Sequence, residues 1–266
     1  MTPVALTRAV SPAITRCELT HLARRPIDVE RAEAQHAAYE AVLERAGCRV
    51  VRVPPAPELP DAVFVEDTAV VLDEVAIVAR PGAASRRPEV EAVADALRPY
   101  RPIRRVREPG TLDGGDVLRI DRMLYVGRSA RTNAEGRRQL AEIAGEHDYA
   151  VMPVELRGCL HLKTAATAVA ARTLLVNPDW VDGTAFPGLD RIEVDPAEPF
   201  AANALRLRRE RASDVVVHAE AFPRTRARLE REGVEVWPVP ASELAKAEGG
   251  VTCSSIVFRT DSTPER

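Results

Sequence analysis

Two periods of apolar spacing follow each other along this chain in a recurring order. Over residues 29–46, Ala, Leu and Val recur at helical spacing, and Gly47 stops the run. A strand over 49–53 and a Pro-rich loop over 54–60 come next. The period then shortens and predicts a hairpin through 63–65, 69–72 and 75–78, turning at Asp73-Glu74. A second round predicts a helix over 88–97, a strand over 103–106 and a hairpin of 116–120 with 123–126. The third has a helix over 134–146, a strand over 150–156, and then 160–170 with 173–176. The fourth lacks a clear helix before its strand at 191–194, and its hairpin is 204–208 with 214–217. The fifth has a helix over 224–232, a strand over 234–238 and a last strand over 252–258. Its final strand is missing, and residues 4–8 are placed to supply it and close a ring.

A unit of roughly 40–50 residues repeated in this way points to a solenoid, a propeller or a closed array. Pro and Gly punctuate each unit, and no low-complexity linker divides the chain. The expected architecture is α/β, one closed domain over residues 1–266 with a pseudo-fivefold axis. The plainer alternative is an open α/β sheet of irregular order. That alternative must explain why polar residues recur at one place in each unit.

Composition narrows the class. Hydrophobic residues are 45% and charged residues 29%, as in an ordinary globular chain. A formal net charge of -3 gives no field that favours nucleic acid or an anionic membrane. No apolar run is long enough to span a bilayer. Residues 1–11 carry Arg8 but no apolar core, so no cleaved leader is predicted. Cys17, Cys48, Cys159 and Cys253 are scattered, without a C-x-x-C pair or a Cys/His cluster at metal spacing. Free thiols in a cytoplasmic protein are the simplest reading, with no metal and no organic cofactor. The many arginines, beside Lys163 and Lys246 as the lysines, read as compositional drift.

The chemistry collects just before, or at the start of, each hairpin. Asp61, Glu66 and Asp67 stand there in the first unit, and Asp113 and Asp116 in the second. His161 and Lys163 follow in the third, Asn203 in the fourth and Cys253 in the fifth. If rotation relates the units, these residues meet on the axis as carboxylates, an imidazole and a thiol. Each has an innocent reading. A single Cys near a strand is usually a small buried hydrophobe, and a single His a hydrogen-bonded structural group. Asp113-Gly114-Gly115-Asp116 reads equally well as a tight turn. Two features weigh the other way. Cys253 sits in Gly249-Gly250-Val251-Thr252-Cys253-Ser254, where glycines allow close backbone approach. Glu66-Asp67 follows an apolar run, and buried carboxylates need a partner such as a cation.

At these residues the chain resembles the dimethylarginine dimethylaminohydrolases of the guanidino-group-modifying superfamily. The resemblance is carried by Asp61-Ala-Val-Phe64-Val-Glu66-Asp67, Arg80-Pro-Gly-Ala-Ala-Ser-Arg86-Arg87 and Leu112-Asp113-Gly-Gly-Asp116-Val. It continues through Gly127-Arg-Ser-Ala-Arg131-Thr-Asn133, Leu160-His161-Leu-Lys163-Thr and Gly249-Gly-Val-Thr-Cys253-Ser. The resemblance implies a five-bladed α/β propeller, which agrees with the repeat. It implies Cys253 as nucleophile, His161 as general acid/base and Asp113 as the carboxylate that orients the histidine. Glu66 and Asp67 would bind the guanidinium. Asp61, with the backbone carbonyls of Leu19 and Ala247, would hold the α-amino group, and Arg86 with Arg131 the α-carboxylate. Residues 14–20 correspond to a mobile lid, although Glu18 stands where the family often has glycine. A homodimer acting on a small methylated arginine is also implied.

The residue types suit that chemistry. A guanidinium is planar, cationic and rich in donors, so carboxylates grip it in a fork. Two arginines grip an amino-acid carboxylate for the same reason. The expected reaction is thiolate attack on the guanidinium carbon, loss of methylamine or dimethylamine, and hydrolysis of a thiouronium on Cys253 to citrulline. Rival readings are an arginine deiminase, an amidinotransferase, a non-catalytic sensor of methylarginine, or a binding module of the kind a ribosome anti-association factor builds on the same propeller.

Overall fold

The computed structural model describes residues 2–209 and 212–261, so both ends of the span expected as one domain lie outside it. The described chain forms five three-stranded sheets. Strand β1 (Thr2–Thr7) is followed by helix α1 (Val29–Arg45), β2 (Arg49–Arg52), β3 (Ala69–Val71) and β4 (Ala76–Val78). Next come α2 (Val90–Leu97), β5 (Ile103–Arg105), β6 (Val117–Ile120), β7 (Met123–Arg128), α3 (Ala134–Gly145) and β8 (Ala150–Glu155). Then follow the single turn α4 (Leu162–Ala165), β9 (Ala166–Ala168), β10 (Thr173–Val176) and β11 (Asp190–Glu193). The chain continues through β12 (Ala204–Leu207), β13 (Val215–Ala219), α5 (Pro223–Arg231), β14 (Val236–Val239), α6 (Ser242–Ala245) and β15 (Ile256–Thr260).

Every sheet obeys one rule. An inner strand turns back antiparallel into a middle strand, and a crossover returns the chain parallel to that middle strand. Thus β3 pairs with β4 and β4 with β5, and the same holds for β6-β7-β8, β9-β10-β11 and β12-β13-β14. Helices make the crossovers except between β10 and β11, where there is only a short 3-10 turn, Gly183–Ala185. The fifth sheet is completed by β1, antiparallel to β15 with Leu6 opposite Ile256, and parallel to β2 with Leu6 opposite Val51. The ring closes with the strand expected for it. This is the five-bladed α/β propeller.

Helices α1, α2, α3 and α5 form where the pattern places them, for local reasons. Asp28 caps α1 by accepting the Arg31 N–H, and Gly47 at φ +93 follows its end. Ala32, His36, Tyr39 and Leu43 make the buried stripe of α1. Asn133 caps α3 through the Gly136 N–H, and Pro223 opens α5. The core lies between blades, not within one. Leu72 and Ile77 of the first hairpin pack with Leu124 and Leu140 of the next unit. The inner strands face a central cavity of about 840 Å³.

One kind of prediction failed, and it failed the same way in successive blades. The pattern predicts strand at residues 63–65, 116, 160–165 and 252–255. The structure makes them tight turns: 3-10 over Val65–Thr68 and Gly114–Asp116, α4 over Leu162–Ala165, and turns over 251–254. Their apolar members are buried against neighbouring blades and not along a sheet face. Val63 and Phe64, for example, pack with Ile14 and Leu244. A short buried run has no period that separates strand from turn. These turns carry the candidate residues. Helix α6 was not anticipated.

Candidate active site

The pre-strand turns bring a small cluster together beside a second cavity, of about 20 Å³. Cys253, His161, Asp67, Asp61, Arg86, Arg131 and Ala247 line it, as the motifs implied. Glu18, Phe64, Leu160, Glu248 and Gly249 line it too, and were not singled out as site residues.

His161 is gripped by carboxylates. Its Nε2 lies 3.0 Å from Asp113 Oδ2, and its Nδ1 lies 3.7 Å from Asp67 Oδ1. Asp113 is wholly buried behind it, and its other oxygen accepts the Gly82 N–H at 2.9 Å. Asp116 is buried as well. It accepts the Leu162 N–H and the hydroxyls of Ser129 and Thr132, so it ties the turn after His161 to the loop that carries Arg131. Burial alone would lower the His161 pKa, but Asp67, the bond to Asp113 and the charge of Asp116 outweigh it and lift it to about 9. Burial pushes Asp116 up to about 6. Asp67 moves the other way: burial would raise it, but His161 and Arg86 hold it down at about 2.

Gly115 makes this arrangement fit. A Cβ there would stand 2.6 Å from Asp67 Oδ1 and 2.7 Å from His161 Nδ1. Its N–H instead donates to Asp67 at 3.0 Å.

Cys253 accepts the Gly250 N–H at 3.3 Å, and its carbonyl accepts the Glu66 N–H. Burial, and then Glu66 and Asp67, push the thiol up to about 12, so the sulfur holds its proton.

The structure redistributes three of the implied residues. Glu66 does not line the small cavity. Its carboxylate accepts from Lys163 Nζ at 2.7 Å and from Thr252 Oγ1 at 2.6 Å, while Asn203 braces Thr252 and the Lys163 carbonyl. Glu66 and Lys163 border the central cavity instead. Arg86 lines the small cavity but is largely spoken for. It donates to Asp67 at 2.6 Å, to Glu89 and to the Phe64 carbonyl, so it forms a buried charged triad. Glu89 was missed, although its spacing of three from Arg86 was visible. Leu19 packs half-buried on the apolar side of the cover and is not a wall of the cavity. Of the segment implied as a lid, Ile14 and Cys17 are core, and Glu18 lines the cavity. Arg131 is more open: it gives one hydrogen bond, to Thr20 Oγ1, and stands 3.6 Å from Asp113.

Asp67, Asp113 and His161 each offer an atom within 4.8 Å of the others, the one such trio found among the described residues. These atoms are engaged with one another, Arg86 and Gly115, so the trio reads as a hydrogen-bonded cluster. No helix among the described residues is long and apolar enough to cross a membrane.

The five-bladed α/β propeller thus gathers a thiol, an imidazole and carboxylates from different blades around one cavity. Comparison with known proteins narrows this. The profile of the family described as "N,N dimethylarginine dimethylhydrolase, eukaryotic" matches residues 23–257. The N(G),N(G)-dimethylarginine dimethylaminohydrolase of Streptomyces coelicolor is 38% identical over 256 residues, 96% of each chain. Its namesake from Pseudomonas aeruginosa is 36% identical over 233 residues, 87% of this chain and 90% of that one. A crystal structure of the Pseudomonas enzyme, a cysteine-to-serine mutant complexed with citrulline, superimposes with a TM-score of 0.90 at 33% identity, covering 97% of this chain and 100% of that one. The chain belongs to the dimethylarginine dimethylaminohydrolase family.

Proposed function

We propose that this protein hydrolyses Nω-methylated arginines to citrulline, releasing dimethylamine or methylamine, with Cys253 as nucleophile. The observation that carries the reading is that a thiol and a carboxylate-held imidazole line one small cavity. Opposed charges in the same lining, Asp61 and Arg131, suit the two ends of an amino acid.

Asp67 is the carboxylate that faces the guanidinium, held in place by Arg86 and Gly115. Glu66 acts at one remove, through its charge and through its backbone bond to Cys253. Arg131 takes the larger share of the α-carboxylate, because the donors of Arg86 are mostly committed. Asp61 and the carbonyls of Leu19 and Ala247 take the α-ammonium.

Arrival of the cation supplies the positive charge that the thiol lacks, and the sulfur gives up its proton to water. The thiolate adds to the central carbon, and the electron pair of the C–N double bond moves onto nitrogen. His161, protonated because its pKa stands at about 9, delivers its proton to the methylated nitrogen. The amine leaves with its bonding pair, and a thiouronium remains on Cys253. Neutral His161 then takes a proton from water and the hydroxide adds; the C–S bond breaks, the sulfur leaves with the bonding pair and takes up the proton of the added hydroxyl, and citrulline is released. Asp113 keeps the imidazole oriented through both halves. The same reading places the protein in the cytoplasm as a homodimer without metal, nucleic acid or membrane partner.

Turnover of asymmetric dimethylarginine, monomethylarginine and arginine, followed as citrulline and released amine, tests it. Citrulline with dimethylamine from the wild type, abolished in Cys253→Ser, is the expected outcome. Citrulline chiefly from unmethylated arginine would make the protein a deiminase. No turnover of any of the three would leave a binding protein.

A further inference from the structure

A cavity of about 20 Å³ holds little more than a water molecule. An amino acid cannot enter it until one wall moves. The walls made by His161, Asp67 and Arg86 are fastened by buried ion pairs. The segment from Glu18 to Leu22 is exposed or half-exposed and has no backbone pairing in a helix or strand. It is pinned from outside. The Glu248 carboxylate accepts the N–H groups of three successive residues: Thr20 at 3.1 Å, His21 at 2.6 Å and Leu22 at 2.6 Å. Converging amides of this kind form a nest for an anion, and bonds to a charged acceptor are the strong ones. Smaller ties assist: Glu18 to Ser85, the Glu18 N–H to Asp61, and Arg131 to Thr20.

Glu248 occupies an unusual position for a glutamate. It stands at φ +60 in the turn that follows α6, three residues past Ala245, while the following N–H closes back on the Leu244 carbonyl. That left-handed position is where helices usually place glycine. A carboxylate stands there instead, and its hydrogen bonds go to the covering segment.

We propose that Glu248 is a positioning residue that clamps residues 18–22 over the pocket, so that its charge sets how readily the pocket opens. The inference rests on the small cavity being the substrate site. It is tested on the intact protein with Glu248→Gln and Glu248→Gly. Amide hydrogen exchange at residues 20–22, and alkylation of Cys253 by iodoacetamide read from peptide masses, should each accelerate roughly tenfold or more in the Gly variant. The Gln variant, which keeps the bulk and loses the charge, should fall between. The thermal midpoint of the Gly variant should stay near that of wild type, because glycine relaxes the left-handed backbone. Labelling of buried Cys48 and Cys159 should not change. Unchanged exchange at residues 20–22 in both variants would overturn the proposal, as would equal acceleration at Cys48 and Cys159. Exchange and labelling do not depend on turnover. A wild type inactive on methylarginines would sink the substrate reading and leave the clamp decided on its own result.

Discussion

Cys253 and His161 both hold their protons more tightly than the free side chains do. A free thiol sits above an imidazole by a few pH units, and here both are raised in that same order, to about 12 and about 9. His161 is thus an acid through the neutral range, and its rate contribution should fade as pH climbs through about 9. Asp113→Asn removes a bond that raises the imidazole. The alkaline limb of the pH–kcat profile should then move toward neutrality by roughly one pH unit. An unmoved limb would take the proton-donor role from His161. The same shifts enter stability. The His161 pairing stabilises the fold fully below the ordinary value of 6.5 and is lost as pH rises through about 9. Asp67 contributes above its ordinary 3.8 and loses that as pH falls through about 2. That Cys253, His161 and Asp113 come together could be read from the sequence because each stands at the same place in its unit, before or at the start of a hairpin. The placements of Glu66 and Arg86 could not. Which side of a turn a carboxylate faces is decided by Lys163, Thr252 and Glu89, and two of these three lie far away along the chain.

The unit of the site is the turn before an inner strand. Each turn buries apolar residues under a neighbouring blade and aims one or two polar ones at the axis. Periodicity found the strands and helices to within a few residues. It misread these turns, because a run of three or four buried residues has no period. Gly115 gives the element-scale test. Gly115→Ala should leave the fold intact and lower kcat by roughly a hundredfold, since the new methyl group pushes His161 and Asp67 out of register. Circular dichroism and turnover measured on the same sample check it. Wild-type activity would show that the cluster tolerates displacement.

At the scale of the molecule, the ring depends on β1, which was foreseen because the fifth unit lacked a strand. Leu6 is completely buried in it, among Val4, Val53 and Ile256. Leu6→Ala should cost about 2–5 kcal/mol of unfolding free energy. The urea midpoint should fall with an unchanged slope, whereas Phe200→Ser, at the exposed large hydrophobic residue, should change it by less than about 0.5 kcal/mol. A small loss at Leu6 would mean that the closing strand carries little of the stability.

The thiol held at about 12 has a consequence outside turnover. Peroxide attacks thiolates, and the first step toward sulfenic acid is slow on a protonated sulfur. Between encounters with a cation, the Cys253 thiol is therefore chemically quiet. The burial that makes it wait for its substrate also preserves it in an oxidising cell.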